Sequence, residues 1–406
     1  MTDRPKVALV GCGRRGWFHL RMLLALEEEM ELVALCDRDP ERLAKAASLA
    51  GPGVRASRRV DTTIAGGPLD LAVVSMLQDG TLPIVRQLLE AGVPVLVEVP
   101  PAYELPQIQA MIDTARRNGV PLATAENYHR TPIERFKQML VRRGDFGTLD
   151  RVEIHGSLGH KGHEMAVARS YLGLDARPTR IRASGSGERS YFSGERLLLP
   201  ARCSAEVEFD SGVDVHFELE RMGVEGSSEL RSDLFGSRGS SRRNRFVFSG
   251  EDGVERPALP EIRLKEIDGQ PVIQEIALSG DPTARWRNPF AAHAFPPASE
   301  LEYFTRVDDS PGAWEDAIAD CYLDMVAAIR EKRAPAYTAA HSLTDVRIRL
   351  AILESVKRRG AWVSWDEPRF SVESDLARAR AMRWLLRQER LTAAARRVAG
   401  LLRSRS

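Results

Sequence analysis

The stretch Lys6–Gly16, KVALVGCGRRG, decides how the chain is read. Lys6–Val10 is a short apolar run that ends at Gly11, the pattern of a strand buried on both faces of a parallel sheet. Gly11, Gly13 and Gly16 then form GxGxxG where a helix starts, over about Arg14–Glu29. The first glycine permits a tight turn, the second lets backbone approach a pyrophosphate, and the third lets helix pack on strand. The helix N-terminus faces the anion. A second strand, Leu32–Cys36, leads into Asp37, 21 residues beyond Gly16. An acid there can accept hydrogen bonds from the adenosine ribose hydroxyls. Together these features predict a nicotinamide-dinucleotide site. Asp37 favours NAD, because a carboxylate repels a 2′-phosphate. Arg38 leaves NADP possible. Arg14 and Arg15, inside the motif, are further cofactor-contact candidates.

Working outward, strand and helix signals alternate. Asp39-Pro40 opens a helix over Glu41–Leu49, Leu69–Met76 is a strand, and Leu82–Glu90 is a helix ended by Gly92. Pro94–Val97, Leu105–Arg117 and Pro121–Ala125 continue the alternation. This predicts a doubly wound α/β Rossmann domain over residues 1–125. The text then changes. Arg151–Ser157, Thr179–Ser184, Cys203–Phe209 and Val213–Leu219 read as strands, the last two joined by the turn Phe209-Asp210-Ser211-Gly212. Ala313–Lys332 and Ser342–Arg358 read as long helices. Residues 126–370 are therefore expected to be a second α/β domain with a mainly antiparallel sheet. Gly236–Arg245, GSRGSSRRNR, is expected to be a mobile loop whose arginines sit in solvent or clamp an anion. Residues 371–406 are expected to form a basic helix, with nine Arg from Ser374 onward.

Bulk properties narrow the class. The 406 residues carry a net charge of +1, so nothing in the overall balance points to a nucleic-acid partner. Only seven of the 58 basic residues are Lys, which makes each Lys worth inspecting as a tunable acid–base group. Cys12, Cys36, Cys203 and Cys321 lie at no metal-site spacing and read as buried, reduced thiols; no metal is expected. No apolar run reaches the ~20 residues of a membrane span, and no leader is visible, so a cytoplasmic protein is expected.

The combination GCGRRG, LCDRD, EAGVPVLVEVP, ENYHRTP and GHEMAVARSYLG resembles the glucose–fructose oxidoreductase/inositol dehydrogenase (Gfo/Idh/MocA) family over roughly residues 5–365. The resemblance implies hydride exchange between NAD(P) and a sugar, polyol or related small carbonyl compound, in a homodimer or homotetramer that pairs sheet faces. It places Glu98 and Gln78 at the cofactor, and Tyr128, His129, His163 and Arg169 at the substrate cleft.

Three departures stand out. The family's Glu-Lys-Pro is Glu98-Val99-Pro100, its Asp before the helix His is Gly159, and its Thr-Pro-Asn is Met76-Leu77-Gln78. Val99 has no proton to give. His163 is then the expected acid/base, since imidazole titrates near neutrality, with Lys161 or His160 standing in for the missing Lys and Tyr128 beside them. Two other readings stay open. One is a redox-neutral enzyme in which bound NAD oxidises a carbon transiently for epimerisation or elimination. The other is a non-catalytic NAD-binding sensor or assembly protein.

Overall fold

The computed structural model describes residues 4–158, 162–187, 190–191, 198–220, 230–250, 252–293, 295 and 313–367. The first sheet is built from β1 (Lys6–Val10), β2 (Glu31–Cys36), β3 (Arg55–Ser57), β4 (Leu71–Val74), β5 (Val95–Val97) and β6 (Leu122–Thr124), with α1 (Arg14–Ala25), α2 (Pro40–Ala50), α3 (Val60–Ala65), α4 (Thr81–Glu90) and α5 (Leu105–Asn118) between them. The strand order is β3-β2-β1-β4-β5-β6, and every pairing is parallel. Val7–Val10 and Leu71–Val74 are wholly buried, as central strands covered on both faces must be. The order reverses between β1 and β4, and that switch point opens a crevice at the strands' carboxyl ends. Local signals fix the helices. The Asp39 carboxylate accepts the Glu41 and Arg42 N–H groups, with Pro40 in the first turn. Gly119, left-handed at φ 62°, ends α5.

Beyond β6 come α6 (Pro132–Arg143), β7 (Leu149–Ser157), α7 (His163–Leu172), β8 (Pro178–Ser186), β9 (Ser190–Tyr191), β10 (Leu198–Leu199), β11 (Arg202–Phe209) and β12 (Asp214–Glu220). They are followed by β13 (Arg231–Gly236), β14 (Gly239–Arg242), β15 (Arg245–Ser249), β16 (Glu255–Ala258), β17 (Pro260–Ile267), β18 (Gln270–Leu278), β19 (Asp281–Arg287), α8 (Ala313–Glu331), α9 (Ala339–Lys357) and β20 (Val363–Ser364). A nine-stranded sheet runs β16-β15-β14-β13-β7-β12-β11-β8-β20. It is antiparallel except where β7 lies parallel to β12. Alternation decides its faces. Val152, Ile154, Val207, Val215 and Phe217 are fully buried on the helix side, and charged residues such as Glu153, Glu206 and Glu218 fill the other.

The sequence divides at β6, but the packing crosses that division. Trp314 of α8 meets Phe18 of α1 edge-on at 4.8 Å between centroids, and Thr338 bridges to Ala123 of β6. Helices from the far end of the chain thus cover the Rossmann sheet beside its crevice.

One expectation is corrected. Gly236–Arg245 is not a loose loop; most of it lies in β14 and its two hairpins. Arg243 and Asn244 both adopt left-handed φ, 48° and 59°, the backbone of a two-residue hairpin turn. Ser241 and Phe246 are fully buried beneath it. The Gly/Ser/Arg composition hid an alternation with only one buried position in β14. The basic segment 371–406 lies outside the described residues.

A buried polar network joins α6, α7 and β13. Lys137 Nζ donates to the Ser232 carbonyl and hydroxyl, both at 2.9 Å, and lies 3.5 Å from Glu134 Oε1. The Tyr171 hydroxyl donates to Glu134 as well. Both charged side chains are nearly inaccessible, at 1% and 4%. Removing one leaves the other's charge uncompensated. Lys137→Met is expected to cost about 3 kcal/mol or more in urea unfolding. A loss under about 1 kcal/mol would contradict the pairing.

Candidate active site

The glycine turn is sterically committed. A Cβ on Gly11, at φ 96°, would stand 2.1 Å from the Ser75 carbonyl oxygen, and one on Gly16 would stand 1.8 Å from the Gly11 oxygen. Both positions exclude every side chain. Gly13 is different, since its nearest foreign atom would be 3.6 Å away, on Arg42. That open backbone, at the N-terminus of α1, is the cradle a pyrophosphate needs. Asp37 lies beside it. Its carboxylate accepts the Cys12 N–H at 2.7 Å and the Asp39 N–H at 2.8 Å, which fixes its orientation while part of it stays exposed. Arg38 points outward next to Arg58 at the rim of the same edge. Arg14 is exposed, and Gln78 is half-buried just after β4, beside Leu77, which is 82% exposed. Cys12 is buried and its thiol is pushed up to about 12, mainly by burial. All four cysteines are free and buried.

At the carboxyl ends of β5 and β6 the crevice meets a cluster of ionisable groups. Glu98, just beyond β5, receives Arg15 Nε and His19 Nε2 on one oxygen, each at 2.6 Å. Arg15 and His19 are four residues apart and share one face of α1. The Arg15 guanidinium rests on the Trp314 ring, 4.3 Å from its centroid. His19 is wholly buried and its other ring nitrogen meets the Tyr322 hydroxyl. Burial holds the His19 pKa below its ordinary value, against the pull of Glu98. Val99, in the position of the family's lysine, is 4% exposed.

Glu126, two residues after β6, is completely buried, and its Oε2 lies 2.6 Å from His163 Nδ1 at the start of α7. With Glu126 ionised, Nδ1–H donates to the carboxylate, which orients the ring. The Tyr128 ring stacks on His163, with centroids 3.9 Å apart and planes 21° apart. Burial, with the carboxylates of Glu164 and Glu126 next, pushes the Tyr128 hydroxyl above its ordinary range, so it stays a proton donor. Glu164 is buried too, its pKa raised by desolvation, and it accepts the Ser157 N–H at 2.9 Å. Arg15 and Glu98 act electrostatically on Tyr128, so the two halves of the cluster adjoin.

The structure brings Arg15, Glu98, Tyr128 and His163 together. It does not bring His129 or Arg169 to the cleft, and both expectations are corrected. His129 is 3% exposed and packs on Tyr337, with centroids 5.2 Å apart. Burial and neighbouring arginines hold its ring neutral. Arg169 is 1% exposed, donating to Asp345 at 2.7 Å and to the His341 carbonyl at 3.0 Å. His129 is held by ring packing and Arg169 by its ion pair, and both are buried. His160 and Lys161 lie outside the described residues. Sequence reasoning missed Glu126, His19, Glu164 and Trp314. Glu126 opens the quoted segment ENYHRTP and could have been found as the acid at the end of a strand. His19 could have been found from its four-residue spacing to Arg15. Trp314 and Tyr322 are about 300 residues from their partners, and nothing local signals them.

Residues 5–126 match the family model described as an oxidoreductase family with an NAD-binding Rossmann fold. D-apiose dehydrogenase of Paraburkholderia graminis is 32% identical over 147 residues, 36% of this chain and 39% of that protein. A protein of Shewanella woodyi named glycosyl hydrolase family 109 is 28% identical over 163 residues, 38% of this chain and 34% of that protein. The chain therefore spans little more than a third of the length of these relatives. Among solved structures, levoglucosan dehydrogenase in complex with NADH and levoglucosan superposes with a TM-score of 0.66 at 17% identity, covering 90% of this chain and 100% of that one, a likeness of fold. Residues 5–126 thus match the NAD-binding Rossmann domain of that oxidoreductase family, and the chain as a whole shares its fold with the dehydrogenase structure.

Proposed function

We propose that the protein is an NAD-dependent oxidoreductase that exchanges hydride with the hydroxyl or carbonyl carbon of a sugar-like or other small polar substrate, with His163 as acid/base. The observation that carries this reading is the Glu126–His163 pair beneath Tyr128, set on the same sheet rim as the glycine cradle. Gly11, Gly13, Gly16 and Asp37 would hold the dinucleotide. When bound, NAD supplies the hydride acceptor or donor. The chain supplies the rest. His163 Nε2 takes the proton from the reacting hydroxyl, and Glu126 stabilises the imidazolium that forms. Tyr128 keeps its proton and donates a hydrogen bond toward the substrate oxygen.

Arg15 answers the absence of a lysine at Val99. Pinned between Glu98 and Trp314, it gives the cleft a fixed positive charge near a developing alkoxide. Among the described residues, proton transfer then falls to His163. The cytoplasmic setting and a homo-oligomeric state are part of the same proposal, from the family resemblance. No described helix is long and apolar enough to cross a membrane.

A second reading is favoured by the similarity to a protein named a glycosyl hydrolase. Bound NAD would oxidise a substrate carbon, allow elimination, and return the hydride, with no net NADH. Incubation with NAD⁺ and a panel of aldoses, polyols and anhydrosugars, read at the NADH absorbance, separates the two. Growth of NADH on one of them supports the dehydrogenase. Release of p-nitrophenol from p-nitrophenyl glycosides with no NADH supports the redox-neutral reading.

Two substitutions test the roles. Asp37→Ala is expected to weaken NADH binding in a fluorescence titration by about tenfold or more, the loss of charge-assisted bonds to the ribose. Unchanged affinity would remove Asp37 from the site. His163→Gln is expected to lower turnover on the substrate found above by about 100-fold or more while leaving NADH affinity intact. Turnover within a few-fold of wild type would end its role as the acid/base.

A further inference from the structure

The open face of the nine-stranded sheet carries its charges in cross-strand pairs. Arg180 meets Glu208 at 2.5 Å, Arg182 meets Glu206 at 2.5 Å and Arg202 meets Glu220 at 3.1 Å. The pattern breaks at the end formed by β7, β13, β14 and β15. A cavity of about 630 Å³ lies there, and four arginines, Arg231, Arg242, Arg243 and Arg245, line it. Two carboxylates and one imidazole share the lining, those of Glu153, Asp233 and His155. Both carboxylates are already engaged. Glu153 pairs with Arg151 at 3.1 Å, and Asp233 pairs with Arg231 at 3.3 Å while accepting the Arg243 backbone N–H at 2.8 Å. Among the described residues, no carboxylate pairs with the guanidinium of Arg242, Arg243 or Arg245.

These arginines are held in place. The β13–β14–β15 ladder and the left-handed turn at Arg243-Asn244 fix the hairpin, and the Asp233 carboxylate ties that turn to the sheet. Arg242 lies over the Phe235 ring, 4.9 Å from its centroid, so its fork is oriented. The three ligand atoms of Glu153, His155 and Asp233 lie within 4.8 Å of one another, a spacing that could hold a cation. The surrounding charge argues for the opposite sign. Arg231 is matched by Asp233 and Glu153 by Arg151, which leaves the three guanidiniums of Arg242, Arg243 and Arg245 in excess, and forks arriving from two strands and their turn match a tetrahedral oxyanion.

We infer that this cavity, on the sheet face away from the helices, is a second binding site, and that it takes a phosphomonoester or similar tetrahedral dianion. The site is separate from the glycine cradle and does not depend on the hydride-transfer reading. It gives the protein a way to hold a phosphorylated metabolite, or the phosphate end of one, against its second domain.

Isothermal titration of the full chain with inorganic phosphate tests this, with saturating NADH present to fill the anion position at the glycine turn and ionic strength held constant with chloride. One phosphate per chain is expected, saturating at or below about 1 mM. Arg242→Gln/Arg245→Gln is expected to weaken it at least about tenfold. Arg243→Asn, which keeps the left-handed turn, is expected to weaken it as well. Arg180→Gln, on the same face but paired with Glu208, is expected to leave it unchanged. NADH affinity equal to wild type shows that each variant is folded. Heat no greater than the chloride control, or equal binding by the double variant, would overturn the inference. So would a double variant that loses its oligomeric state on size exclusion while wild type takes up no phosphate, because the arginines would then serve a contact between copies of the chain.

Discussion

The active cleft hangs on one carboxylate. Glu98 is held by Arg15 and His19 at 2.6 Å each, and His19 is held in turn by Tyr322. These contacts join the helix that follows the glycine turn, the end of β5, and α8 from the far end of the chain. Packing such groups away from water is costly unless every partner is present. The Rossmann crevice and the second domain are therefore not independently placed. Through Tyr128, on which Arg15 and Glu98 act, the network adjoins the imidazole of His163.

The same network explains how the family's lysine can be absent. A lysine next to Glu98 would offer a proton and a positive charge in one group. Here the two tasks are divided. In the proposed mechanism Arg15 would provide the positive charge and the Glu126–His163 pair the proton acceptor. Val99 becomes a buried apolar contact, 4% exposed. Tyr128, raised above its ordinary range by burial and two carboxylates, would serve there as a donor.

Legibility in the sequence followed the range of the interactions. The glycine turn, the alternation of strand and helix and the helix ends at Gly92 and Gly119 depend on neighbours within a few residues, and they could be read. The β11–β12 hairpin could be read for the same reason. The Gly236–Arg245 segment could not, because its burial is confined to Ser241 and to Phe246 just beyond it, and its turn uses Arg-Asn rather than glycine. His129 and Arg169 were placed by family resemblance at the cleft, but tertiary partners, Tyr337 and Asp345, claim them. Glu126 was in plain view, yet only the fold shows that its carboxylate meets an imidazole 37 residues away.

A crystal structure of the protein with NADH tests the central claim most directly. The account predicts the pyrophosphate over the Gly13 backbone, the adenosine ribose on Asp37, and the nicotinamide ring at the rim between Glu98 and Tyr128, within reach of His163. A dinucleotide bound with its nicotinamide directed away from that rim, or with its pyrophosphate off the glycine turn, would contradict it.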